Sequence, residues 1–180
     1  MKGVVFNVFL EMVEDHFSYN MVDDLLLSLD LPSGGSYTSI GTYDVNEMVS
    51  LVALLGKRTG TPVPDLLKAF GEFLFGRFTT IYGDKIDGMK DAFDLLRQVD
   101  SLIHHEVQKM MPGAELPKIR TMDDGPNRLI VDYQSIRCLG DVAAGLIAGC
   151  VAHYGNGIDI QREDLAGDAG SSLRFVLTRH

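Results

Sequence analysis

Apolar positions recur at helical spacing through the first two-thirds of the chain. Val5, Phe6, Phe9, Leu10, Met12 and Val13 predict a helix over 3–16. A shorter helical segment follows over 20–29, and LPSGGS, rich in Gly and Pro, breaks it. DVNEMVSLVALLGKRTG opens on Asp44, which can cap a helix. Glu47 stands three residues on, as in a capping box, and Gly60 ends the segment. VPDLLKAFGEFLFGRF reads as a further helix. DGMKDAFDLLRQVDSLIHHEVQKMM, residues 87–111, reads as the longest one, stopped by Pro112-Gly113.

Beyond Pro117 the period changes. NRLIVDYQS alternates apolar and polar residues like a strand. LGDVAAGLIAGCVAHYG is a helix closed by Gly155, and GIDIQRED and SLRFVLTR are strand-like again. Helices first, then strand–helix–strand–strand with an antiparallel sheet, is an α+β class with segregated halves. No linker between the halves is long enough to make them independent.

Composition narrows the function classes. The 180 residues are 46% apolar and 23% charged, which is a globular balance. A net charge of −9 argues against a basic face for nucleic acid or anionic lipid. The longest apolar stretch, DVAAGLIAGCVAHY, is too short for the ~20 residues of a membrane span. Charges interrupt the N-terminal apolar residues too early for a signal peptide, so a cytoplasmic protein is expected. Cys138 and Cys150 match neither a disulfide framework nor a zinc or redox pair, and no Cys-x-x-Cys-His is present for covalent haem. LGKRTG lacks the residues of a phosphate loop.

Two motifs carry candidate chemistry. The first is the pair His104–His105. At ~100° per residue, Leu96, Val99, Ile103, Val107 and Met110 form one apolar stripe. His105 falls nearly opposite that stripe and should face water, whereas His104 lies on its flank. His104 reads as lacking a second histidine or carboxylate one turn away, so an HExxH-type zinc site has no support. On spacing alone, a partly buried, hydrogen-bonded histidine is the larger expectation, and a lone imidazole in apolar surroundings also suits an axial haem ligand. The second motif is YQSIR, residues 133–137. In a strand Tyr133, Ser135 and Arg137 share one face, lining up three hydrogen-bond donors suited to carboxylates.

The Tyr-x-Ser-x-Arg motif, preceded by a helix His with Pro-Gly eight residues later, resembles the H-NOX family of haem nitric oxide/oxygen-binding domains. The resemblance spans nearly the whole chain, including the MKG start and a downstream proline. It implies a single haem domain over 1–180, with an N-terminal helical subdomain over about 1–60 packed on a C-terminal subdomain of sheet and helices over about 61–180, and non-covalent haem b between them. It implies His104 as the proximal iron ligand, since Pro112 lies eight residues on. Tyr133, Ser135 and Arg137 become the clamp on the haem propionates, and Pro117 the wedge that keeps the porphyrin non-planar. Val5, Phe9, Leu74 and Phe78 fall on the pocket walls. Members that hold O2 carry a tyrosine nine residues after the motif tyrosine, where this chain has Val142. The resemblance therefore implies a sensor of NO and CO that rejects O2. NO would weaken the bond to His104 and let the porphyrin relax against Pro117. A histidine kinase or diguanylate cyclase would receive the signal. The competing readings are a haem-free protein-interaction module and, lower still, an enzyme using the histidine pair.

Overall fold

The computed structural model describes residues 1–137, 139–155, 157–165 and 171–180. Cys138 lies outside them. The chain forms two compact units, Met1–Phe70 and Gly71–His180.

The first unit holds α1 (Gly3–His16), α2 (Tyr19–Ser28), α3 (Val45–Thr59) and the start of α4 (Val63–Ile81). The helical spacing of α1 turns Phe6, Phe9 and Val13 to one face, where they are fully buried with Leu25, Leu51 and Leu55. Ser18 caps α2 by accepting a hydrogen bond from the Met21 amide at 3.2 Å. Asp44 caps α3, but its side chain takes the Asn46 amide, at 2.9 Å.

The expected capping box does not form. Glu47 instead is buried and accepts hydrogen bonds from the Ser33 hydroxyl and, at 2.9 Å, from the Tyr37 phenol. Burial pushes the Tyr37 phenol up to about 12. The Tyr37 ring stacks on Phe6 with centroids 4.3 Å apart. One carboxylate thus pins the whole 31–43 connection to α1 and α3. The same connection explains Gly3. A Cβ at Gly3 would lie 2.0 Å from the Thr38 carbonyl oxygen, and its amide donates to the Gly41 carbonyl at 3.0 Å. Only glycine lets the chain start pass that close.

The second unit carries the rest of α4, α5 (Gly83–Ile86), α6 (Ala92–Gln98), α7 (His105–Met110), α8 (Gly140–Tyr154) and four strands. The strands are β1 (Lys118–Asp123), β2 (Arg128–Ser135), β3 (Ile158–Asp164) and β4 (Ser171–Arg179), ordered β1-β2-β4-β3 and all antiparallel. This bears out the α+β class. One sheet face buries Leu129, Val131, Tyr133, Leu173, Phe175 and Leu177 in a core shared with Phe93, Leu96, Ala143 and Ile147. On the other face Arg120, Asp132, Arg174 and Glu163 stand side by side across the four strands, alternating in sign. Arg174 grips Asp132 with two bonds, of 2.7 and 2.9 Å, and so holds that carboxyl below its usual range.

Two expectations are corrected. The chain has a strand before NRLIVDYQS: β1 is an edge strand that leaves Lys118, Arg120, Met122 and Asp123 exposed, so its alternation is faint. And 87–111 is not one regular helix. Asp91 caps α6 by accepting the Asp94 amide at 2.9 Å, and between α6 and α7 the helix widens into a π-helix over Val99–His104.

The Glu47 clamp predicts that Glu47→Ala, which strands two hydroxyls, costs about 1–3 kcal/mol. A fall in the urea midpoint, smaller for Glu47→Gln, is the expected result.

Candidate functional site

His104 is the last residue of the π-helix. Such segments interrupt α-helices mostly as single turns, frequently at functional positions. The ranking of the two histidines holds. His105 is exposed, whereas the His104 side chain is only 14% exposed. Val99, Ile103 and Val107 of the apolar stripe pack against the core of the second unit, while Met110 is half exposed. The expectation that no carboxylate stands one turn from His104 is corrected: Asp100 is there. Its Oδ1 lies 3.1 Å from His104 Nδ1. An aspartate four residues before the histidine was the available signal.

The polar motif is placed at the end of β2. Tyr133 and Ser135 alternate with exposed Gln134, and Tyr133 is buried on the same face as Leu129 and Val131. Arg137 is corrected: the strand ends at Ser135, and Arg137 sits in the turn that follows. The Ser135 hydroxyl shapes that turn by accepting the Arg137 amide at 3.2 Å. The Arg137 guanidinium donates to the Glu115 carbonyl at 3.3 Å and pairs with the Glu115 carboxylate. Glu115, another residue the sequence reading missed, precedes partly buried Pro117 by two positions. Arg137 therefore ties the end of β2 to the segment that contains Pro117.

Leu74, Phe78 and Val142 are set by α4 and α8. A Cβ at Gly71 would lie 2.2 Å from the Val142 carbonyl oxygen and 2.8 Å from the Gly145 Cα. At Gly149 it would lie 2.9 Å from the Phe75 Cβ. The small residues of GDVAAGLIAGC let the two backbones touch, which buries Leu74 and Val142. Phe78 is partly buried, with its ring edge toward Tyr82 at 5.9 Å. Val5 and Phe9 belong to the first unit. Phe9 is fully buried, its ring perpendicular to Phe70 at 5.4 Å, and Val5 is half-buried.

Fold and motifs define a class: an α+β domain with one imidazole on a widened helix and a polar strand end in the same compact unit. Comparison with known proteins gives the family. A family model described as haem-NO-binding matches residues 2–162, and the chain belongs to that family, the H-NOX domains. The Fe(II) unliganded H-NOX protein from K. algicida is 33% identical, with 100% of this chain and 97% of that chain covered at a TM-score of 0.90. The H-NOX protein from S. oneidensis in the Fe(II)NO state is 28% identical, covering 100% and 99% at 0.90. The IWP-051-bound H-NOX from Shewanella woodyi in the Fe(II)CO state is 39% identical, covering 100% and 95% at 0.84. No curated relative matches the chain.

The donor set fits haem better than a bare metal ion. Among the described residues no group of three or more His, Cys, Asp or Glu is placed to hold a metal. One imidazole can hold iron only if another molecule supplies most of the coordination, as a porphyrin does. With Nδ1 occupied by Asp100, the nitrogen left for a metal is Nε2.

Cys150 is buried in the core of the second unit, with its Sγ 3.9 Å from the Ala92 carbonyl oxygen. Burial pushes its thiol up to about 12. In a Cys138→Ser variant, Cys150 should therefore resist an aromatic disulfide reagent at pH 8 until denaturant is added. Rapid reaction of the folded variant would contradict this.

Proposed function

We propose that this chain is a haem-based sensor of NO and CO, acting by a change of conformation and not by catalysis. It binds haem b non-covalently, with the iron held by His104. The observation that carries the reading is the pairing of a partly buried imidazole, Nδ1 already engaged, with the Tyr-x-Ser-x-Arg strand end in the same unit. The family match spans every residue invoked, from Leu74 to Val142.

When bound, haem would supply a ferrous iron able to take up a diatomic gas, and His104 would hold that iron. His104 Nε2 donates the protein's lone pair. Tyr133, Ser135 and Arg137 hold the propionates, for which Arg137 exchanges its Glu115 partner or shares it. Pro117, with its fixed φ, would offer the porphyrin a stiff edge. Leu74 and Phe78, in the same unit as His104, would keep the surroundings apolar. Val142 offers no hydrogen-bond donor. Bound O2 draws charge and gains from a donor, whereas NO and CO bind without one, so a valine here selects against O2.

His104 is also the point of readout. Its backbone is the end of the π-helix, so a change in tension on its side chain acts directly on the helix between α6 and α7. The receiver is a partner protein, a histidine kinase or a diguanylate cyclase, and neither nucleic acid nor a membrane takes part. No helix among the described residues is long and apolar enough to cross a membrane. The protein works in the cytoplasm.

His104→Gly should lose the histidine-ligated ferrous haem spectrum and regain it with added imidazole. A variant that keeps the spectrum without imidazole would contradict the assignment. Val142→Tyr should raise O2 affinity roughly 10- to 100-fold, the worth of one hydrogen bond to a charge-bearing acceptor. An unchanged optical titration in air would show that a missing donor is not what excludes O2.

A further inference from the structure

We infer that Asp100 is a positioning residue for His104: it fixes the tautomer and strengthens the donor character of the imidazole, and so sets the redox balance and bond strength of the iron that His104 holds. The inference rests on the proposed role of His104 and adds a second residue to it.

The geometry assigns the proton. His104 Nδ1 lies 3.1 Å from Asp100 Oδ1. An ionised carboxylate offers only lone pairs, so an unprotonated Nδ1 at that distance would set lone pair against lone pair. Nδ1 therefore carries the hydrogen and donates it to Asp100. The ring is then the tautomer whose Nε2 lone pair is free. The two residues are the second and last of the π-helix, so the same widened turn presents both side chains on one side. The His104 side chain is 14% exposed and that of Asp100 60% exposed, which leaves the ring covered and the carboxylate in contact with solvent.

The chemical consequence is general. A carboxylate accepting the second ring N–H of a metal-bound histidine fixes ring orientation and raises ligand basicity. Greater basicity would favour the ferric over the ferrous ion and strengthen the iron–nitrogen bond. Loss of such a partner typically changes metal-site properties 10- to 100-fold. The exposure of Asp100 places the effect at the low end of that range.

The test uses the full chain loaded with haem. In wild type, resonance Raman should give an iron–histidine stretch in the ferrous state. Asp100→Asn and Asp100→Ala should lower that frequency and shift the ferric/ferrous equilibrium toward ferrous by about tenfold, or about 59 mV for one electron. Glu106→Gln removes the same charge from the same helical stretch, where Glu106 pairs with Lys85 and Lys109 and not with His104. It should leave both readings unchanged. If both Asp100 variants match wild type, or if Glu106→Gln shifts the readings equally, the inference is overturned while His104 remains the ligand. If wild type itself gives no iron–histidine stretch, the proposed role of His104 fails first, and the inference with it.

Discussion

A single side chain is constrained from three directions. The ring of His104 is set by the helix that widens to its end at this residue, by the seating of that helix on the core through Val99, Ile103 and Val107, and by a carboxylate on Nδ1. Each constraint narrows the freedom of the imidazole, and together they leave one nitrogen to act. Under the proposed function that nitrogen is the sole covalent tie between protein and iron. Everything else at the site then serves to hold the porphyrin where this nitrogen can reach it.

The rest of the second unit reads as support for that arrangement. Asp91 starts the helix run that ends at Met110. Burial would raise the Asp91 carboxyl, but the Asp94 amide and the Arg179 guanidinium hold it below its usual range. Arg179 Nη2 lies 3.0 Å from Asp91 Oδ2, an ion pair by distance, and its guanidinium covers the Phe93 ring at 4.5 Å. The Tyr154 phenol donates to the Ile86 carbonyl at 2.9 Å, so α8 fastens the connection that leads into α6. At the far end, Arg137 and Glu115 fasten the segment containing Pro117. The helix that carries His104 is therefore anchored at both ends and widened in the middle.

What could be read from the sequence follows from which forces are local. Helix ends at Gly60 and Gly155, the alternation of β2 and the different exposure of His104 and His105 are set by neighbours a few residues away, and all were legible. The edge strand β1 was not, because with four of its six side chains exposed it shows little alternation. The diversion of Glu47 from its expected cap to Ser33 and Tyr37 depends on how the 31–43 connection folds back, which no local pattern encodes. The π-helix was hidden for a similar reason: one widened turn leaves the composition helical. Arg137 seemed part of a strand because the motif alternates, yet the Ser135 hydroxyl turns the chain first. The Asp100 partner was within reach of sequence reasoning, since it needs only the helical spacing.

Family membership accounts for the fold and for the order of the motifs. Under the proposed function, Val142, seated where the backbones of α4 and α8 touch, is the residue by which this chain would discriminate among gases. The most direct measurement is the absorption spectrum of the reduced, haem-loaded protein, taken under argon, under air and after NO. A Soret band at roughly 400–430 nm that is the same under argon and air and moves only with NO is the predicted result. A protein that stays colourless with added haemin, or one that forms a stable O2 complex in air, would contradict it.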